Sequence, residues 1–404
     1  MITEFIGEFM FHPAALEVSG NTCSHNCCYC FANIRKSSRV VNTRAIIRQI
    51  NKTKEKTYQD ALINAGFAIC LSNKTDPFSQ NNYQHTLALA REMNKLKNPI
   101  FIQTKGGYGI DEFLNISKNK KVFYVTITTL DETIRQRIEP NAPTVNERIE
   151  LVRMLHNKGY LIIVAINPIY EGWMPKNMLY EFMDIMKKIG IRHICTEALH
   201  LNKREVQTFS TKRLQSFTEE EIKYSTQRYE FQNYVKEIIP IIQNEGFHVM
   251  KLGMPYKSEF FYEIRAELGK IFPNHYDIIN YCHDNYKSHI VTFKEYYEKT
   301  VDDKIFFERK FKYTNKYILR ANIREWAIDH KAKEANTLKE AMRWIWNNPK
   351  VALSISRNQA YRIVVNEREE IIKDKNGDIM LYFDKGIYPS QRIINVKFCK
   401  DEKL

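Results

Sequence analysis

The chain has 404 residues, of which 44% are hydrophobic and 12% aromatic, so it can bury a sizeable core and is not disordered. Lys and Arg number 61 against 47 Asp and Glu, a net charge of +14 that makes a polyanion the leading class of partner. No apolar run of about 18 residues is present to span a membrane, and the acidic start Met1-Ile-Thr-Glu4 lacks the basic segment of a secretory signal, so a cytoplasmic location is expected.

From residue 16 to about 200, short β-branched runs alternate with amphipathic segments. Leu16–Ser19 reads as a first strand and is followed at once by a group of cysteines. A helix is expected over Thr43–Asn64, a strand over Phe67–Leu71 and a helix over Tyr83–Leu96. Strands follow at Ile100–Lys105 and Val122–Thr129. The glycines of Gly106-Gly-Tyr-Gly109 lack a phosphate-loop context and read as a flexible strand exit. Thr144-Val-Asn-Glu147 is a capping box that opens a helix running to Asn157, and Gly159 closes it. Then come a strand over Tyr160–Asn167, a helix over Pro175–Ile189 and a strand over Ile191–Thr196. Such alternation buries a parallel sheet under helices, and six repeats predict an α/β fold, a partial (β/α)6 TIM-like barrel. Phe247–Lys251 could add a strand, with a full eight-fold barrel as the alternative.

Beyond residue 205 the texture changes. Lys203–Phe231 is densely charged, Tyr, Phe, Lys and Arg crowd the stretch to Arg324, and no glycine occurs between Gly269 and Gly377. A mainly helical, basic region is expected, ending in a β-hairpin at Asn376-Gly377, between Glu370–Ile372 and Ile379–Phe383. The chain then divides into a barrel core (1–205), a basic extension that completes or covers it (206–330) and a helical-plus-hairpin module (331–404). Asn336–Trp346, Val351–Val364 and the hairpin could together form a winged helix.

Four of the eight cysteines, Cys23, Cys27, Cys28 and Cys30, fall in one short stretch directly after the first strand. The spacing Cys23-x3-Cys27-x2-Cys30 lets three thiolates hold three irons of a [4Fe–4S] cluster and leaves the fourth iron open to a small molecule. Cys28 could replace Cys27 as a ligand. A structural zinc site using the same three thiols with His25 or Cys28 is the other reading, although no second ligand pair follows at zinc spacing.

This cluster, with Ser72-Asn-Lys-Thr-Asp-Pro77, Thr104-Lys105, Val125-Thr-Ile-Thr-Thr-Leu-Asp131, Glu139-Pro140 and Arg148, resembles the radical S-adenosylmethionine (SAM) superfamily. Over roughly residues 14–200 it is most similar to the spore-photoproduct-lyase-like branch. The resemblance implies a [4Fe–4S] cluster on Cys23, Cys27 and Cys30, reductive cleavage of SAM to a 5′-deoxyadenosyl radical, and an external one-electron donor of flavodoxin or ferredoxin type. It also implies that Tyr29 packs on the adenine and that Lys105 and Thr128 meet the SAM carboxylate. Ser72 and Asn73 would lie near the methionine end, and Glu139 would make polar contacts with the ribose or substrate. Two departures stand out. Asn73 occupies the position of the lyase's catalytic cysteine, and Phe31 replaces the tyrosine that follows its last cluster cysteine. Thymine-dimer reversal by the lyase's route is therefore not expected. Cys195, ending the sixth strand, could face the barrel mouth, whereas Cys70 reads as a buried free thiol.

Lys304–Arg320 interleaves cations and rings, with Arg309, Lys310, Phe311, Lys312, Tyr313 and Lys316 as candidate nucleic-acid contacts. Cations pair with phosphates and aromatic faces stack exposed bases. The expected function is radical-based modification or repair of a nucleic acid. A radical enzyme acting on a peptide or small molecule, and a non-catalytic zinc nucleic-acid-binding protein, are the alternatives.

Overall fold

A computed structural model describes residues 2–4, 14–30, 32, 40–52, 54–71, 74–199, 201, 203–227, 233–251, 259–270, 281–282, 284–311, 335–347, 361–368, 370–384 and 395–397. Eight strands form the main sheet in sequence order: β1 (Ile2–Glu4), β2 (Leu16–Val18), β3 (Ile69–Leu71), β4 (Ile100–Thr104), β5 (Lys121–Thr126), β6 (Leu161–Ile169), β7 (His193–Ala198) and β8 (His248–Lys251). The seven strands from β2 to β8 run parallel, and β1 is antiparallel to β2. Helices cover a parallel sheet, so its strands are buried on both faces and read as continuous apolar runs. Ile102, Phe123, Val125, Ile163, Val164 and Ile194 are accordingly fully buried.

The sheet is a partial barrel of seven parallel strands, one more than the six expected. The extra strand is β8, inside the Phe247–Lys251 run. Among the described residues β8 pairs with β7 and not with β1 or β2, so the barrel does not close into the eight-fold alternative.

Three local features refine the sequence reading. The helix expected over Thr43–Asn64 is two helices, Thr43–Ile50 and Tyr58–Asn64. Between them Thr57 and Asp60 form a capping box: the Thr57 hydroxyl accepts from the Asp60 amide at 3.2 Å, and the Asp60 carboxylate accepts from the Thr57 amide at 3.1 Å. Satisfying those orphan donors starts a new helix there. The capping box at Thr144 and Glu147 forms as expected, and the helix Val145–Asn157 ends before Gly159 at φ 78°. Finally, β5 stops at Thr126, so Thr128 lies in the loop beyond the strand.

A second, four-stranded sheet has the order β12-β10-β11-β9, with β9 (Ser288–Val291), β10 (Tyr361–Val365), β11 (Leu381–Asp384) and β12 (Asn395–Lys397). The middle of the chain thus supplies a strand to the carboxyl-terminal sheet. The expected turn is present: Gly377, at φ 79°, donates its amide to the Asp374 carbonyl at 2.9 Å, and Lys373 bridges Ile379. Trp346, on the helix Leu338–Trp346, donates its indole N–H to the Ile379 carbonyl at 2.7 Å and docks that helix on the hairpin. Most of the Val351–Val364 segment needed for a winged helix lies outside the described residues. Among the described residues no helix is long and apolar enough to cross a membrane.

Candidate functional site

Parallel barrels present their chemistry at the carboxyl ends of the strands. Here the loop after β2 carries the cysteines, the loop after β3 carries Asp76, Lys105 directly follows β4, and Thr128 follows β5. Asn26, at φ 55°, turns the cysteine loop through the left-handed region that asparagine tolerates.

Four groups from elsewhere in the chain hold that loop. The Cys28 amide donates to the Ile138 carbonyl at 2.8 Å. The Asn141 backbone amide donates to the His25 carbonyl at 3.3 Å, and the Asn141 side chain to Ser24 at 3.0 Å. Arg213 stacks on Phe209 at 3.9 Å and donates to the carbonyls of Cys28 and Cys30 at 2.6 and 2.8 Å. The charged extension therefore folds back over the cysteine loop.

All four cysteines are free thiols. Cys23, Cys27 and Cys30 lie within electrostatic reach of one another, with Lys105 beside Cys27. Cys28 instead packs among Ile138, Tyr170, Trp173 and Leu199. Burial pushes the Cys23 thiol up to about 11 and raises Cys27 well above its ordinary value, with Lys105 pulling Cys27 back toward the thiolate. Thiolates at this loop therefore call for a cationic partner. A single tetrahedral zinc, with Zn–S bonds of about 2.3 Å, would draw its sulfurs to within about 4 Å of one another. Among the described residues, the one set of three His, Cys, Asp or Glu ligand atoms within 4.8 Å of one another lies elsewhere, at His193, His248 and Glu263. Three thiols on one loop are the soft donors that a multi-iron cluster takes.

Next to the thiols, Glu139 is the hub of a buried network. Its Oε1 accepts from the Thr128 hydroxyl at 2.7 Å and from the Tyr29 hydroxyl, with Lys105 Nζ at 3.8 Å. Its Oε2 pairs with the Arg148 guanidinium at 2.5 Å. Burial works to raise the Glu139 carboxyl, but Arg148, Lys105 and the hydroxyls of Tyr29 and Thr128 outweigh it and hold the carboxyl at about 2. Burial likewise works to lower Lys105, and Cys27 with Glu139 reverses that, so it stays a cation. The ammonium lies 5.6 Å from the centre of the Tyr29 ring, whose other neighbour is Trp173 at 5.7 Å.

Asp76 anchors the strand ends. Its Oδ1 accepts from the Phe78 amide at 2.9 Å and the Thr104 hydroxyl at 2.8 Å, and its Oδ2 accepts from the Lys105 amide at 2.6 Å. His25 is buried with Nδ1 3.5 Å from the same carboxylate. An acid before proline reads locally as a turn start, yet here it fixes where the Lys105 side chain begins. Gly107, at φ 137°, is not merely flexible: an added Cβ would overlap the Phe78 carbonyl oxygen. Only glycine lets the two loops approach this closely.

The structure thus brings Cys23, Cys27, Cys30, Tyr29, Lys105, Thr128 and Glu139 to one rim. Ser72, Asn73, Lys312, Tyr313 and Lys316 lie outside the described residues. In the basic stretch Arg309 pairs with Glu55, and Lys310 is exposed. Phe311 is buried, edge-on to Tyr58 at 4.8 Å, so its ring is core and offers no stacking face. That corrects its expected place among the base contacts. Cys195 is fully buried, and burial pushes its thiol up to about 12. Arg213 and Trp173 went unnoticed in the sequence because nothing local marks them. Arg148 stood in the motif without a role, and its buried pairing with Glu139 supplies one.

A curated relative, "Uncharacterized protein ORF301" of Acidianus two-tailed virus, is 24% identical over 200 residues, which cover 44% of this chain and 64% of that protein. The chain therefore spans less than two thirds of that relative's length. Among solved structures, "Spore photoproduct lyase complexed with dinucleoside spore photoproduct" superposes with a TM-score of 0.45 at 15% identity, covering 60% of this chain and 78% of that one. Streptococcus suis SuiB bound to S-adenosylmethionine gives 0.40 at 11% identity, covering 58% and 48%. Residues 18–173 match the model of the Radical SAM superfamily. The chain carries a radical SAM domain over those residues, of the enzyme class whose cofactors are a [4Fe–4S] cluster and S-adenosylmethionine.

Proposed function

We propose that this chain is a spore-photoproduct-lyase-like radical SAM enzyme that modifies or repairs a nucleic acid. The observation that carries the radical reading is the convergence of three free thiols with the Lys105–Glu139–Tyr29–Thr128 network at the carboxyl rim. Cys23, Cys27 and Cys30 would hold the cluster, and Cys28, facing an apolar cluster, would not. When bound, the cluster and SAM supply hydrogen-atom abstraction, driven by one electron from an external donor of flavodoxin or ferredoxin type.

The protein's own groups bind and orient. The Lys105 ammonium is a cation with a fixed origin, able to pair with a carboxylate through a charge-assisted bond. Glu139 aims it, and the Thr128 hydroxyl in turn fixes the Glu139 carboxylate. Tyr29, locked through its hydroxyl, presents a ring face on which a flat base can pack. Trp173, wedged between Tyr29 and Tyr170, keeps that ring from swinging away.

For the substrate, the support is the net charge of +14 and the exposed Lys310 in the basic stretch. The test is a salt titration of labelled single- and double-stranded DNA and RNA against anaerobically reconstituted protein. Product formation from SAM is followed with and without each nucleic acid. Binding is expected to fall steeply with salt, because each neutralised phosphate releases counterions. Neutralising Lys310, Lys312 and Lys316 together should flatten that slope across unrelated sequences. If no nucleic acid binds even at low salt, the nucleic-acid reading fails and a peptide or small-molecule substrate takes its place.

A further inference from the structure

The opposite rim of the barrel, at the amino-terminal ends of β7 and β8, gathers a second set of ligand-type side chains. His193 opens β7, His248 opens β8, and the two are register partners across the parallel pair. Their rings lie 5.2 Å apart. Glu263, on the helix Glu259–Leu268, reaches both: Oε2 is 2.7 Å from His193 Nε2, and Oε1 is 4.0 Å from His248 Nδ1. One ligand atom from each residue lies within 4.8 Å of the other two. Arg192 approaches the Oε2 side at 3.5 Å and leaves Oε1 facing His248.

The 4.0 Å gap between Glu263 and His248 leaves room for an ion. It is too long for a hydrogen bond. Ligand atoms about 2.0 Å from a tetrahedral zinc lie roughly 3.3 Å apart, so a side-chain shift of under about 1 Å would bring this pair onto one ion. Two imidazoles and one carboxylate are borderline ligands of the kind that zinc and its first-row neighbours accept. The three residues come from three different elements, so an ion among them would cross-link β7, β8 and the helix Glu259–Leu268 directly.

We propose that His193, His248 and Glu263 bind a divalent transition-metal ion, zinc by the nature of the donors, which staples β7, β8 and the helix Glu259–Leu268 at the amino-terminal face of the barrel. His193 is 3% exposed in its side chain, while His248 and Glu263 are 32% and 33% exposed. The ion therefore enters from the Glu263 side and keeps a fourth position for water. Side chains at this face of a parallel barrel serve stability, and chemistry belongs to the other face. The site is independent of the cysteine loop.

The test uses the iron-loaded protein and zinc chloride as probe, with a chromophoric chelator as competitor. Zinc, iron and sulfide are measured in the same sample. About one zinc per chain should bind beyond the cluster iron, and the thermal midpoint should rise with zinc, since an ion that binds only the folded state stabilises it. His248→Gln and Glu263→Gln should each weaken zinc binding at least tenfold and abolish the thermal shift, with iron content and reductive SAM cleavage unchanged. His248 is partly exposed, so His248→Gln decides the matter should Glu263→Gln fold poorly. Failure of wild type to take up zinc overturns the proposal. So does undiminished zinc affinity in His248→Gln, which would mean that the metal sits elsewhere, for example on vacant cysteines.

Discussion

Replacing Glu139 by Gln removes the one negative charge at the centre of a buried network in which Arg148 is 2.5 Å away and Lys105 3.8 Å away. Glu139 and Arg148 are 0% and 1% exposed, so water cannot compensate for the loss. Holding this carboxyl at about 2 instead of 4.5 corresponds to roughly 3 kcal/mol of stability. The cost of breaking a buried pair by removing one partner is of the same order, about 3–5 kcal/mol. E139Q and R148M should therefore each cost about 3 kcal/mol or more, and the double variant much less than their sum, because neither charge is then left unpaired. Urea unfolding of the four proteins at pH 7, each carrying its cluster, measures this coupling. The pH dependence has a definite sign. The carboxyl is depressed in the folded state, so its contribution is complete above about pH 4.5 and is lost as pH falls through about 2. The wild type's margin over E139Q should shrink along that limb. Single-variant costs that add to within about 0.5 kcal/mol would refute the hub.

Three further outcomes are expected. Alanine at Cys23, Cys27 or Cys30 should abolish the reducible cluster and SAM cleavage, while Cys28→Ala keeps both; iron loss in Cys28→Ala with iron retained in Cys27→Ala would reverse the ligand assignment. Gly107→Ala should displace the Phe78 loop and weaken SAM binding with iron content near normal, because the new methyl group overlaps a backbone carbonyl; equilibrium dialysis with SAM checks it, and wild-type affinity contradicts it. Phe311→Ala should destabilise the fold by about 3–5 kcal/mol in urea unfolding. A change confined to single-strand affinity, at unchanged stability, would mean that this ring is displayed after all.

The barrel was legible in the sequence because a strand buried on both faces has to be a continuous apolar run, and the intervening helices carry a different period. β4, β5 and β6 therefore start within one residue of where the apolar runs placed them, and the Thr144–Glu147 capping box marks a helix start through contacts only three residues apart. The cysteine group was legible for the same local reason: Cys23, Cys27, Cys28 and Cys30 all lie within one loop. Reading failed where locality failed. The break between Thr43 and Asn64 was missed although the sequence marks it twice, by the wholly polar run Asn51–Thr57 and by the Thr57-x-x-Asp60 capping box.

What the tertiary structure decided is which distant groups meet. Arg213 clasps carbonyls 185 and 183 residues away, and Phe311 finds its place against Tyr58. Glu139 gathers Tyr29, Lys105, Thr128 and Arg148 from four separate segments, and His193 meets His248 only through the register of β7 on β8. Periodicity specifies which face of an element is buried. It leaves open which element lies opposite, since that is fixed by strand register and by loop paths that depend on the whole packed core.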